Sequence, residues 1–151
     1  MTMSNPKSVA PPRVRVRNLQ RRIRVNVVAL ETFAAKATRL CLQLHMQKST
    51  EFTKLREIFV WLIADLRMSR LHRQFLEQTG PTDVLTFQHG EIFISVEMAK
   101  RHARMFGNSL VCELQLYIVH GLLHLHGFDD RAPAEARKMK RAQEQILRRA
   151  L

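Results

Sequence analysis

The sequence predicts an α/β (α+β) fold, a single domain in which helices cover a four-stranded mixed sheet. Three observations carry that expectation. The chain has 151 residues, 46% of them hydrophobic, enough for one domain with a real core and no need of disulfides. Runs rich in β-branched and aromatic residues alternate with stripes of helical period. The order of those segments is β-α-β-α-β-β-α-α-α, and such elements pack as layers around one core.

Residues 1–12 (MTMSNPKSVAPP) read as a flexible basic arm, and 13–151 as the domain. RVRVRN at 13–18 alternates basic and β-branched residues, which predicts a short strand near an edge with one face in solvent. Asn26 can start a helix whose apolar stripe runs from Val27 to Leu44. HMQKSTEFT at 45–53 breaks the stripe, and LREIFVWLIA at 55–64 reads as a buried strand. Asp65 is a plausible N-cap for the helix that carries Leu66, Leu71, Phe75 and Leu76. QTGPTD at 78–83 is a turn, and VLTF (84–87) and EIFIS (91–95) are short strands joined through Gln88-His89-Gly90. Ser95 can cap a helix over 96–106 that stops at Gly107. Asn108-Ser109 opens a helix that is apolar nearly all round, through Leu125, with Gly127 ending it. Pro133 opens a last basic helix.

Cys41 and Cys112 have no CxxC spacing and sit in apolar helical patterns, so both read as buried thiols of a reducing cytoplasm. No apolar run reaches the roughly 18 residues of a membrane span. The basic, Pro-containing N-terminus lacks the apolar core of a secretory signal, which points to a cytoplasmic location.

The formal charge is +12 and lies at the two ends. Residues 1–24 carry seven Lys/Arg and no acid, and residues 131–151 carry seven against Glu135 and Glu144, so 25–130 sums to zero. A neutral body with basic ends fits a polyanionic partner, nucleic acid first, because phosphates are met mainly by Lys and Arg. Neither end has the apolar face with aromatic anchors that a membrane surface requires.

HGLLHLHGFDD at 120–130 carries the chemistry. His120 and His124 are four apart, so on a helix both imidazoles reach one ion. His126 points away from that face. Gly127 lets the chain double back, which returns Asp130 to the open side of the two histidines. His120, His124 and Asp130 make a two-nitrogen, one-carboxylate set, and a tetrahedral Zn²⁺ held by it keeps a fourth position open, as catalytic sites do. Nickel, cobalt or manganese could occupy the same set. Asp129 reads as a cap or an orienting partner. HxxxHxxGxxD also resembles the metzincin metalloproteases, a zincin-like metal helix, but position 121 is Gly where those enzymes carry the glutamate that acts as base.

A closer resemblance is to the YbeY family, bacterial metal-dependent endoribonucleases of ribosomal RNA maturation. HGLLHLHGFDD is similar to its HGxLHLxGYDH signature, and PTDVLTF (81–87) followed by GEIFIS (90–95) is similar to its PTDVLSF…GDIxIS. The resemblance is dense from about Leu71 to Asp130 and looser from about Val14. It implies a small α/β fold with one zinc per chain, a cytoplasmic setting, and single-strand-type endoribonuclease action in 3′ maturation of small-subunit rRNA and ribosome quality control. His120 and His124 fall on the family's first two ligands and Asp130 on its third histidine, which lowers the charge of the site by about one unit. The family's arginine in LNxxYR falls on Leu76 within Leu71-His72-Arg73-Gln74-Phe75-Leu76. Leucine cannot hold a phosphate, so Arg73, one turn earlier, and His72 become candidate RNA contacts. Arg21, Arg22, Arg137, Lys138, Lys140 and Arg141 would track the RNA backbone without reading sequence. The strands 84–87 and 91–95 are expected to floor the cleft, and Thr82 and Asp83 to have a turn role in which Asp83 fixes the strand entry. Two further readings stay open: a non-enzymatic ribosome- or RNA-binding factor with a structural metal, and a metal-dependent hydrolase of another class.

Overall fold

The computed structural model describes residues 10–45, 51–76 and 83–151, without the side chains of Glu51 and Leu76. Nine regular elements follow the expected order: β1 (Arg13–Asn18), α1 (Val27–Leu42), β2 (Glu57–Ile63), α2 (Asp65–Leu76), β3 (Val84–Phe87), β4 (Glu91–Ser95), α3 (Val96–Phe106), α4 (Leu110–His126) and α5 (Pro133–Ala150). A short 3₁₀ turn, Glu51–Lys54, precedes β2. Most of the N-terminal arm and of the turn at 78–83 lies outside the described residues.

The sheet is mixed, in the order β1-β2-β4-β3, with β1/β2 and β2/β4 parallel and β3/β4 antiparallel. β1 is an edge strand, as its alternation of arginine and valine requires: Val14 and Val16 face the core while the arginines face out. β2 differs from expectation. Ile58, Val60 and Leu62 are fully buried, but Phe59 and Trp61 on the other face are only half-buried. Helices α1 and α4 cover one face of the sheet, whereas α2 covers only the end of the other, so the aromatic positions of this strand alternate to the less covered side.

The core lies between the inner sheet face and helices α1 and α4, with Met139, Ala142 and Ile146 of α5 packed from outside. The sides of α4 are therefore covered, and Ile118, Val119, Leu122, Leu123 and Leu125 are all fully buried. Gly121 lets this helix approach the sheet: a Cβ there would lie 2.8 Å from Cγ2 of Ile92 on β4. Cys41 is buried as expected. Cys112 is exposed, because it sits in the first turn of α4 before that helix enters the core.

The caps are local. Asn26, Ser95 and Ser109 each accept a backbone N–H from the first turn of the helix that follows. Asp65 instead opens α2 as its first residue, and its carboxylate takes Ser95 Oγ–H and the Arg101 guanidinium, both at 2.6 Å.

Candidate metal centre

α4 delivers its last turn to the edge of the sheet beside β3. Gly127 ends it in the left-handed region at φ 110°, and its N–H donates to His124 O while Phe128 N–H donates to Leu123 O. This glycine-based stop turns the chain back across the helix end. It brings Asp130 to the two histidines: Asp130 Oδ2 is 3.8 Å from Nε2 of His120 and of His124, and the two Nε2 atoms are 3.1 Å apart.

The tautomers follow from the other ring nitrogens. His120 Nδ1–H donates to Gln143 Oε1 on α5 at 3.1 Å, and His124 Nδ1–H donates to the Phe128 carbonyl at 3.0 Å. A neutral imidazole protonated at Nδ1 presents a lone pair at Nε2. Two lone pairs and a carboxylate oxygen thus converge on one point, an arrangement that repels itself unless a cation lies between. Ligands about 2.0–2.1 Å from a tetrahedral zinc are roughly 3.3 Å from one another. The separations of 3.1 and 3.8 Å bracket that value, so these donors fit a divalent ion. Burial holds the His120 imidazole below its ordinary pKa, and the neighbouring His124 adds to the effect. Both causes keep the ring in its ligating form.

The three donors open into a cleft of about 570 Å³ lined also by Val84, Thr86, Gln88 and Phe128. Gln88 Nε2 reaches the His124 carbonyl at 3.4 Å. Asp129 orients Arg131, accepting its backbone N–H and its Nε–H, rather than touching a histidine. His126 turns away, donating from Nε2 to Leu44 O at 2.7 Å.

The floor of this cleft is narrower than the sequence implied. β3 lines it but β4 does not, because Gly121 and the body of α4 lie over Ile92. The structure brings His120, His124 and Asp130 together and leaves the other candidates apart. Arg73 and His72 lie on α2, Arg21 and Arg22 in the β1–α1 connection, and Arg137, Lys138, Lys140 and Arg141 on α5; none of them lines the cleft. Arg22 borders a separate cleft with Lys100, Arg101 and Arg104. Among the described residues the cation at the metal cleft is Arg131, whose side chain is 89% exposed. Its position directly after Asp130 was the available signal. Gln143, 23 residues from His120, had none. Asp83 accepts the Val84 N–H through its side chain and the Ser95 N–H through its carbonyl, which fixes the start of β3; Thr82 lies outside the described residues.

A mixed α+β sheet with a half-buried histidine pair opening into a cleft near the end of a buried helix defines a class of small domain with a donor set that could hold a metal. Within that class the family is specific. Residues 15–150 match the family model described as Endoribonuclease YbeY, and the chain belongs to the YbeY family. It is 36% identical to a protein named Endoribonuclease YbeY from Anaeromyxobacter sp. (strain Fw109-5), over 61% of this chain and 53% of that one. It is also 36% identical to the protein of that name from Beutenbergia cavernae, over 76% of this chain and 84% of that one. The chain spans about half the length of the Anaeromyxobacter relative and 35% of one from Myxococcus xanthus. The solution structure of TM1509 from Thermotoga maritima matches with a TM-score of 0.56 and 25% identity, covering 88% of each chain. No helix among the described residues is long and apolar enough to cross a membrane.

Proposed function

We propose that this chain is a zinc-dependent endoribonuclease of small-subunit rRNA 3′ maturation and ribosome quality control, acting in the cytoplasm on RNA of the small ribosomal subunit. The observation that carries the reading is the convergence of two Nε2 lone pairs and the Asp130 carboxylate in an open cleft, in a chain of the YbeY family. Residues 13–151 form the hydrolase domain and 1–12 a basic arm.

His120, His124 and Asp130 hold one Zn²⁺, which supplies Lewis acidity toward a phosphodiester. Gln143 and the Phe128 carbonyl fix the ring tautomers. Arg131, braced through Nε by Asp129, keeps its terminal nitrogens for a phosphate oxygen and does the work that Leu76 cannot. The basic residues of α5 and of the β1–α1 connection hold the RNA backbone at a distance.

The test is cleavage of a structured RNA from the small-subunit rRNA 3′ end by metal-loaded protein, with His124→Ala, checked by circular dichroism, prepared alongside. Cutting by the wild type and its loss in the variant is the expected result. Equal cutting by both traces the activity to a contaminant. Leucine at position 76 favours a second reading, a ribosome-binding factor with a structural metal. That reading predicts no cutting by either protein and ribosome co-sedimentation that survives His124→Ala.

A further inference from the structure

The outward positions of a solvated sheet face are ordinarily polar. The face turned away from α1 and α4 is not. Between Glu57 and Glu91 at one end and Ile63 and Ser95 at the other, its outward positions on β2 and β4 are Phe59, Trp61 and Phe93, all half-buried. Phe59 and Trp61 stack with ring centroids 5.2 Å apart and 7° between planes, and Phe93 extends the row 6.4 Å from Trp61. α2 closes the end of this face where Ile63, Met68 and Leu85 are buried, and Trp61 and Phe93 pack against that cluster with one side while Phe59 belongs to neither apolar cluster of the fold.

The edge strand β1 sets Arg15 opposite Phe59 and Arg17 opposite Trp61, with Arg13 exposed at the start of the strand. The acids on this face are engaged. Glu57 holds Arg15 at 3.1 Å, and Glu91 accepts from Trp61 Nε1 at 2.7 Å and lies 2.6 Å from His89 Nε2. Arg17 Nη1 donates to the Val16 carbonyl at 3.0 Å and makes a loose surface pair with Glu31 at 3.5 Å, and such exposed pairs contribute little. Arg13 has no ion pair among the described residues.

We propose that this face is a stacking platform for single-stranded RNA. Bases lie on Phe59 and Trp61, and Arg13 and Arg17 take the flanking phosphates. Aromatic faces beside cations are what unpaired strands require, whereas a duplex hides the faces of its bases. The platform lies across the sheet from α4, so it anchors a strand apart from the metal cleft. It rests on the reading of the chain as an RNA-acting protein.

Trp61 is the single tryptophan of the chain, so its emission reports this face alone. The full metal-free chain is titrated with a 12-nucleotide single-stranded RNA and with a duplex of equal length, following Trp61 emission and the anisotropy of an end-labelled strand. Saturable quenching by the single strand, at least tenfold weaker for the duplex, is expected. Phe59→Leu, which keeps apolar volume and removes the ring face, should weaken binding about tenfold. Binding seen by anisotropy, with Trp61 emission unchanged and Phe59→Leu equal to wild type, overturns the platform and leaves the RNA reading standing. No binding overturns it too, and the cleavage assay above then decides separately whether the RNA reading falls. Emission that changes with protein concentration alone, with a dimer in sedimentation, also overturns it and assigns the face to a second copy of the chain.

Discussion

Gln143 on α5 accepts the Nδ1 hydrogen of His120 on α4 at 3.1 Å, and this contact ties the last helix to the tautomer whose Nε2 lone pair faces His124 and Asp130. Without it the proton can move to Nε2 and remove the lone pair. Partners of this kind commonly account for about 10–100-fold in metal affinity. Gln143→Ala should therefore weaken zinc affinity by that order in a competition with a chromophoric chelator, while Gln143→Glu, which keeps an acceptor, retains it. Equal affinity in wild type and Gln143→Ala would show that the Phe128 carbonyl and Asp130 suffice.

Gly121 answers to packing as much as to chemistry. A Cβ at that position meets Ile92 Cγ2, Cδ1 and Cγ1 at 2.8, 2.9 and 3.1 Å. Gly121→Ala gains about 1 kcal/mol of helix propensity, but overpacking a filled core costs about 1–3 kcal/mol. The net effect is expected to be destabilising in urea unfolding. Ile92→Ala removes all three clashing atoms, so the double variant should be more stable than the sum of the two single losses. Strict additivity would mean that the helix shifts without touching Ile92. Gly121→Glu, the protease-like residue, should not fold, since it adds a buried carboxylate to the same clash.

These two positions also mark what the sequence made legible. The convergence of His120, His124 and Asp130 was readable because every signal for it is local: four-residue spacing on a helix, a glycine stop, and an acid three residues on. The caps Asn26, Ser95 and Ser109 were readable for the same reason. Gln143 was not, because its role depends on how α5 crosses α4, which no short-range pattern encodes. Arg131 was adjacent to the motif, but its place in the cleft depends on the turn that Asp129 braces. On β2 the run of apolar residues concealed a two-faced strand, since aromatic and aliphatic side chains look alike to a hydrophobicity pattern. The basic ends pointed to a polyanion, yet the fold carries none of the predicted RNA contacts into the metal cleft.

The two cysteines should separate in reactivity. Cys41 is fully buried, and desolvation pushes its thiol up to about 12. Cys112 is exposed in the first turn of α4. An aromatic disulfide reagent at pH 8 should modify one thiol per native chain and two in denaturant, and Cys112→Ser should abolish the native reaction. Two equivalents from the native protein would place Cys41 within reach of solvent through local opening.

Acid should destabilise the metal-free protein through His120. Burial, then the neighbouring His124, lowers its pKa from the ordinary value of 6.5, while Gln143, Asp130 and Asp83 act in the opposite direction and do not cancel the effect. The unfolded chain therefore binds this proton more readily than the native one. By linkage the associated stability is fully present above about pH 6.5 and is lost as the pH falls below it toward the folded-state value. The urea midpoint of metal-free protein should fall between pH 7.5 and pH 5.5, and by less in His120→Gln, which cannot take up that proton. An equal fall in both proteins would assign the acid sensitivity to other groups. Zinc should shift the wild-type loss to lower pH, because it binds only the unprotonated rings, and should leave His120→Gln nearly unmoved.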